Sequence, residues 1–408
     1  MVRQEFDQAM DRAIQALAKW PSRTARVFHH NDADGLSSGA ILTRALTRAG
    51  YRIDRCCLEK PYPPVLTKIF HSRGAILFFA DFAGRIAPLL SRYNRGRNLI
   101  LILDHHPAQA VRDDTIHHLN PELFGFRGDR DVAAATTCYR FARRCDPANR
   151  DLAYLAVTGA VGDGFYSDGR LVSLNRMAAE EAVAQGQLDI QPRDGGERYH
   201  LRGPVCSGPV EKLAADLDIL GGAGFFQDGP EAGLRVCLQG HDDHTRQLHQ
   251  KLTRQKKTLY GNEIDRLGSG KLQTTGPVQW FHVAERFNGL GVKMIGDFCR
   301  FIRTKDFVDQ EKYIAGFQPV PDLVPGLGKI TFNAVKVSMR VPVALETQII
   351  KGQMPGLNQL LPDATQMVGG FSDACHGLAA ATTIPPGKER ELIERIDALV
   401  DDWKTHHR

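Results

Sequence analysis

Residues 25–38 read ARVFHHNDADGLSS: a short strand-like run, Ala25–His30, then a knot of imidazoles and acids, then a glycine-led turn. The segment Gly35-Leu36-Ser37-Ser38 leads into a helix over Leu36–Ala49. Leu36, Ala40, Leu42 and Leu46 form its apolar side, and Gly50 is a natural C-cap. Two further strand-like runs come next, Ala75–Ala80 ending at Asp81 and Leu99–Leu103 ending at Asp104-His105-His106. Both are continuously apolar rather than alternating, as expected for strands covered on both faces of a parallel sheet. Helical stretches lie between them. This βαβ alternation predicts an α/β domain.

The rest of the chain fits that frame. Residues 3–20 carry Phe6, Met10, Ile14 and Leu17 at helical spacing, and 132–185 read as largely helical with breaks at Gly159, Gly162 and Gly164. Residues 186–208 are polar with little periodicity, and Asp216–Leu234 reads as a glycine-rich turn region. A long basic helix is expected over 242–267, then Gly268-Ser269-Gly270 and a second α/β segment. That segment has strand-like runs at Val278–Val283, Tyr313–Phe317 and Ala334–Met339. The expected domains are 1–240, a linker helix at 241–268, and 269–408.

Composition narrows the function classes. The 408 residues suffice for two or three domains, and 42% apolar with 24% charged residues is a globular balance. No segment approaches the ~20 apolar residues of a membrane span. The first twenty residues contain three acids and no apolar h-region, so no signal peptide is expected and the cytoplasm is. The net charge of +5 and pI near 8.7 permit a polyanionic partner. Eight scattered cysteines without a CxxC pair argue against a disulfide framework or a cysteine zinc site, and read as small buried hydrophobes.

The chemistry concentrates at the predicted strand ends. Ligands of open parallel sheets bind beyond the carboxyl ends of the strands. Three strands thus deliver several carboxylates and imidazoles to one edge. Asp163, flanked by Gly162 and Gly164, is a further acid able to approach a crowded site. So many acids cannot share a small volume ionised unless cations neutralise them or their pKa values rise. Oxygen and imidazole donors without thiolate suit Mn²⁺ or Mg²⁺. Their number predicts two ions bridged by a carboxylate, about 3.5–4 Å apart.

HHNDADGLSSGAIL, FADF, ILDHH and TGAVGDG, in this order, resemble the four motifs of the DHH phosphoesterase superfamily, closest to its archaeal-type RecJ-like branch. Val335–Arg340 and Gly369-Gly370 with His376-Gly377-Leu378-Ala379-Ala380 resemble the phosphate-binding elements of the DHH-associated domain, and Leu217–Pro230 resembles a stretch typical of the branch. The resemblance spans about residues 25–385. It implies a parallel-sheet DHH catalytic domain joined by a linker helix to a smaller α/β domain, with the active site in the cleft.

It also implies roles. His30 and Asp32 would bind one ion, Asp34, His105 and Asp163 the other, and Asp81 would bridge. Asp104 would orient His105. His106 would face the phosphate and protonate the leaving oxygen. Arg340, Gly369, Gly370 and His376 would hold the substrate. Two departures stand out: Phe371–Cys375 separate the glycines from His376, and Val341 comes after Arg340 where serine is common.

The implied activity is a two-metal, Mn²⁺-dependent phosphodiesterase, with Mg²⁺ or Co²⁺ as other candidate ions. It would release nucleoside monophosphates from single-stranded DNA or RNA ends or short oligonucleotides. The alternatives are a cyclic-dinucleotide or other small-molecule phosphodiesterase or phosphatase, and a non-catalytic partner in a replication complex. Intact Asp32, Asp34, Asp81, His105 and Asp163 argue against the last. Replication or repair proteins are candidate partners; a membrane is not.

Lesser candidates read as ordinary structure. His241-Asp242-Asp243-His244 with His249 sits where acids cap a helix. His117-His118 read as an exposed strand end, and Trp280, Phe281 and Phe287 as core. Arg246, Lys251, Arg254, Lys256 and Lys257 form either a solvated face or a track for phosphates.

Overall fold

The computed structural model describes residues 2–406. It divides into two compact units, Met1–Leu252 with Val324–Gly328, and Thr253–Leu323 with Lys329–Arg408. No helix of the described residues is long and apolar enough to cross a membrane.

The first unit begins with α1 (Val2–Lys19), β1 (Thr24–His29), α2 (Ala33–Arg48), β2 (Arg52–Cys57), α3 (Pro63–Ile69), β3 (Ile76–Ala80), α4 (Ala87–Asn94), β4 (Leu99–Leu103) and β5 (Ile116–Leu119). The five strands form one parallel sheet in the order β2-β1-β3-β4-β5. Every residue of β3 and β4 is buried, as their unbroken apolar runs require. Consecutive side chains of a strand point to opposite faces, and β3 uses both. Phe79 stacks on Phe70 at the end of α3, with ring centroids 6.4 Å apart, while Phe78 meets Phe141 of α5 (Ala134–Cys145) edge-on at 6.0 Å. Truncating either core phenylalanine to alanine costs about 3–5 kcal/mol by analogy with other cores.

The helical shell on the Phe78 side consists of α2 and α5 together with α6 (Ala153–Gly162), joined at its edges by α7 (Ser173–Ala184). Beyond it lie β6 (Leu188–Arg193), β7 (Gly196–Arg202), β8 (Ser207–Pro209), α8 (Val210–Asp218) and α9 (Gly229–Gln239). Two expectations fail here. The polar stretch 186–208 is a three-stranded antiparallel sheet, β6-β7-β8. Its strands are half-exposed and interrupted by Gly195-Gly196, so neither apolar run nor clean alternation marks them. The glycine-rich 216–234 is helical: α8 runs through a π-helical turn, Ile219–Ala223, and the chain re-enters helix at α9. Close packing explains the glycines, since Gly233 lies against Leu36 of α2.

The division between units falls within α10 (Asp243–Arg266). The second unit's main sheet has the order β15-β16-β14-β11-β10-β9. It is built from β9 (Gln273–Thr274), β10 (Val278–His282), α11 (Met294–Ile302) and β11 (Tyr313–Pro319). The chain continues through β12 (Leu323–Val324), β13 (Gly328–Lys329), β14 (Val335–Arg340), α12 (Val343–Ile350) and α13 (Leu357–Met367). It ends with β15 (Phe371–Cys375), β16 (Ala379–Ile384) and α14 (Glu389–His406). Only β10 and β11 pair in parallel; the other neighbours are antiparallel. Leu357, Leu361, Leu392 and Ile396 of α13 and α14 cover one face, packing on Phe317, Val337 and Met339. Cys299 and Ile295 of α11 approach Gly316 on the other. Phe281 and Phe287 are core residues against Phe298, as expected, and the half-buried Trp280 meets Phe317 edge-on.

Candidate metal centre

Strand register builds the site. His29, Ala80 and Leu103 lie side by side at the ends of β1, β3 and β4. Backbone pairing carries one residue further, with His30 N donating to Ala80 O at 3.3 Å and Asp81 N to Leu103 O at 3.0 Å. The next side chains therefore leave from one edge. That edge includes the point between β1 and β3 where the strand order reverses, the usual place for a ligand in such sheets.

Helix α2 starts at Ala33, three residues before the expected Leu36. Asp32 is the cause: its Oδ1 accepts the Gly35 N–H at 2.9 Å and caps the helix. Asp218 accepts the Ala33 N–H at 3.0 Å. Asp34 thereby sits in the first turn, turned into the protein.

Six residues converge in two groups. His30 Nδ1 lies 2.8 Å from Asp32 Oδ2 and 3.3 Å from Asp81 Oδ2. His105 Nε2 lies 3.4 Å from Asp81 Oδ1, 3.3 Å from Asp163 Oδ2 and 4.0 Å from Asp34 Oδ2. Within each group the donor atoms all fall within 4.8 Å of one another, and Asp81 belongs to both. Its two oxygens point one to each histidine. Asp81 also adopts φ +67°, a left-handed conformation costly for a non-glycine residue and often found at functional sites.

The donor set fits cations. Asp81 is 1% exposed, yet neither carboxylate oxygen receives a well-formed hydrogen bond, and His105 Nε2 is equally without one. Buried acceptors in this state call for a positive partner. His105 Nδ1 donates to Gly128 O at 2.6 Å, which leaves Nε2 facing the acids, with its lone pair free when the ring is neutral. The electrostatics agree. Burial, then the charge of Asp163, pushes the Asp34 carboxyl up to about 8. Burial, then Asp32 and Asp34, raises Asp81 well above the carboxylate range. Burial works against a charged His105, but Asp163 and Asp81 outweigh it and raise this imidazole.

Asp34 has a task its motif did not disclose. Its Oδ2 accepts the Ala134 N–H and its Oδ1 the Ala135 N–H, each at 2.8 Å, so the carboxylate docks the first turn of α5. Gly159 of α6 must be glycine here, because a Cβ would collide with Asp34 Oδ1.

Asp104 corrects one expectation. The His105 ring N–H goes to Gly128, and Asp104 instead accepts from His106 Nδ1 at 2.8 Å, from Gly84 N at 2.7 Å and from His105 N at 2.8 Å. Burial would raise its carboxyl; the charge and hydrogen bond of His106, with His105 and Gly84, hold it below the usual range. Asp104 therefore orients the His106 ring. Asn120 fixes the His106 carbonyl through Nδ2 at 2.9 Å. Gly128, Asn120 and Asp218 have no local signal of function in the sequence, although Asp218 lies in the 217–230 stretch. His29 is not part of the cluster. It is buried beneath α2, with Nδ1 on His30 O at 2.9 Å, and burial pushes it down to about 4.

In the second unit the four expected substrate residues are split. Arg340 ends β14 and pairs with Ala379, beside the hairpin turn where His376 N donates to Ala379 O at 2.9 Å. Gly369 and Gly370 precede β15, whose Phe371 pairs with Thr383. They lie at the other end of that hairpin, about 17 Å of strand away from His376. The intervening Phe371–Cys375 is the reason: it is a strand. Gly370 instead backs onto the Thr383 carbonyl, where a Cβ does not fit. Arg340 donates to Met339 O at 2.8 Å and has no carboxylate within ion-pair distance among the described residues. Burial lowers its pKa.

The lesser candidates resolve as structure. Asp242 caps α10, accepting the Thr245 N–H at 2.7 Å. His241 and His249 flank Asp216, at 3.5 and 3.2 Å, beside Lys212. His117 and His118 belong to β5 and are half-buried, contrary to the exposed end expected; burial pushes His118 down to about 4. Of the basic residues on α10, Arg246 pairs with Asp243 and Lys256 with Asp297.

The fold is similar to that of DHH-domain proteins, as the motifs anticipated. Among solved structures, the chain is similar to the DHH domain of a protein described as belonging to a family of ribosomal proteins. That likeness has a TM-score of 0.62 at 15% identity and covers 98% of this chain and 91% of that one. It is similar also to RecJ from Thermus thermophilus in complex with Mn²⁺, with TM-score 0.63, 15% identity, 97% of this chain and 55% of that one. An exonuclease RecJ bound to manganese aligns with TM-score 0.58 and 14% identity, over 97% and 94% of the two chains. An uncharacterized protein of Methanocaldococcus jannaschii is 34% identical over 165 residues, 38% of this chain. The match spans 36% of that relative's length. No family model matches the chain.

Proposed function

We propose that the first unit is a two-metal phosphodiesterase centre acting on single-stranded nucleic-acid ends or short oligonucleotides. The observation that carries this reading is Asp81, one buried carboxylate shared by two donor groups with neither oxygen hydrogen-bonded. His30, Asp32 and Asp81 would hold one divalent ion, and Asp34, Asp81, His105 and Asp163 the other, with Mn²⁺ or Mg²⁺ suited to these donors. Such a pair acidifies a water for attack on phosphorus and offsets the charge that develops there.

The protein's own residues supply the rest. Gly128 holds His105 in one tautomer. Asp104 holds Nδ1 of His106 and so sets its other nitrogen to carry a proton to the leaving oxygen. Arg340, a half-buried guanidinium with no acid partner among the described residues, has forked donors that match phosphate oxygens. His376 stands at the same sheet edge.

The test is a product ladder. Protein stripped with EDTA is given end-labelled single strands of several lengths, with and without Mn²⁺, beside a cyclic dinucleotide. Mononucleotides released from the strands only when metal is restored are the expected result. Full-rate cleavage without metal would falsify the two-metal reading, and turnover of the cyclic dinucleotide alone would move the activity to a small-molecule phosphodiesterase.

A further inference from the structure

Residues 60–103 hold seven lysines and arginines and a single acid, Asp81, which is sealed in the metal centre. Four of these cations, Arg73, Arg92, Arg95 and Arg97, line one concavity of about 540 Å³ in the first unit. Thr67, His71 and the rings of Phe70 and Tyr93 complete the wall, so it contains no carboxylate and no aliphatic side chain.

The concavity lies at the opposite end of the parallel sheet from the metal centre. It surrounds the starts of β3 and β4, where Gly74 N donates to Arg97 O at 2.8 Å and Leu99 N to Ala75 O at 3.0 Å. The six steps from Ala75 to Asp81 span about 20 Å of extended chain. Its floor is fixed. Phe70 and Tyr93 stack with centroids 6.0 Å apart, and the Asn94 side chain bonds both the backbone and the side chain of Asn98. Arg95 and Gly96 both take positive φ, which turns the chain sharply after α4.

Basic residues commonly collect at helix C-termini, where carbonyls are unsatisfied. That accounts for Arg97, which donates to Asn94 O at 2.9 Å and Tyr93 O at 2.6 Å. It leaves Arg73, Arg92 and Arg95 unexplained. All three are exposed, and among the described residues none reaches a carbonyl or a carboxylate. Guanidinium groups gathered around a hollow repel one another, and a ligand with repeated negative charge offsets them all at once.

We propose that this concavity is a second binding site, separate from the metal centre, for the phosphodiester backbone of a nucleic-acid strand. Arginine presents forked donors that match phosphate oxygens two at a time, and every lining cation with a fixed charge is arginine. The half-buried Tyr93 ring offers an aromatic surface that a base can stack on. An acidic protein segment is the competing occupant, and the polyglutamate arm of the test separates the two. The site needs no hydrolysis to be detected and does not depend on the activity assigned to the metal centre.

The experiment uses the full chain in EDTA, so that no substrate is consumed, and measures fluorescence anisotropy of a labelled single-stranded 20-mer across a salt series. The triple variant Arg73→Gln, Arg92→Gln, Arg95→Gln changes exposed side chains only, and its thermal melt reports whether it folds. The expected result is at least about a tenfold loss of affinity, with the slope of log K against log salt falling by about 2, since each lost phosphate contact on a single strand contributes about 0.7. Hydrolysis of a dinucleotide with Mn²⁺, too short to reach both sites, stays at the wild-type rate, which separates this proposal from the metal-centre reading. Unchanged affinity and slope in a folded triple variant would overturn it. So would polyglutamate of equal charge displacing the 20-mer as well as unlabelled strand does.

Discussion

The two large sheets of this protein present chemistry by different rules. In the first unit the strands are parallel, so the residues next in sequence after β1, β3 and β4 arrive at one edge, and six donors from four separate segments meet there. In the second unit most neighbours are antiparallel, so residues after successive strands arrive at alternate edges. Arg340 and His376 share an edge while Gly369-Gly370 lie at the other. A motif in a parallel sheet is therefore a spatial statement. A motif in an antiparallel sheet becomes one only after the strands between its parts are counted.

The largest effect tests the parallel edge. Asp81→Ala removes the carboxylate common to both groups and is expected to lower kcat by at least about a thousandfold, roughly 4 kcal/mol of transition-state stabilisation. Metal content by mass spectrometry should fall with it; an enzyme within tenfold of wild type would show that Asp81 is no bridge. On the antiparallel edge, Arg340→Ala should leave metal content intact and weaken phosphate capture by about 2–4 kcal/mol, read as kcat/KM, with lysine restoring only part.

The third expectation concerns pH. The Asp34 carboxyl is raised to about 8 and His105 is raised as well, so the metal-free fold holds more protons than the unfolded chain at neutral pH. Stability then falls as pH rises from the unfolded carboxylate value near 4 through 8. The melting temperature of stripped protein should drop by about 5 °C between pH 5 and pH 8, and Mn²⁺ should abolish the slope. A flat profile without metal would mean the acids are not pressed together. Smallest is Gly370→Ala: it should lower the melting temperature by a few degrees through the Thr383 carbonyl and leave KM unchanged. A raised KM would return the glycines to substrate binding.

The same contrast sets how much of the molecule was legible in its sequence. β3 and β4 were legible because strands buried on both faces have only one kind of sequence, and Asp81, Asp104 and His105 were legible because they stand directly after them. Strands β6–β8 were hidden by exposure, and the helicity of 216–234 by glycines that serve packing. The Gly128 carbonyl and the Ala134 and Ala135 N–H groups were invisible for another reason: backbone atoms belong to every residue, so their use leaves no mark on the sequence.

The bond from Asp34 to the first turn of α5 crosses 100 residues of chain, and Asp163 stands later still. On the ribosome, a chain that has emerged only through Asp81 exposes His30, Asp32, Asp34 and Asp81 with nothing to close around them. The pocket completes only when α5 and α6 have emerged. If the centre holds two ions, their capture is ordered in time by the chain itself: the full donor set exists only after the segment through Asp163 has been made, and until then the exposed acids of the first half stay ionised and solvated.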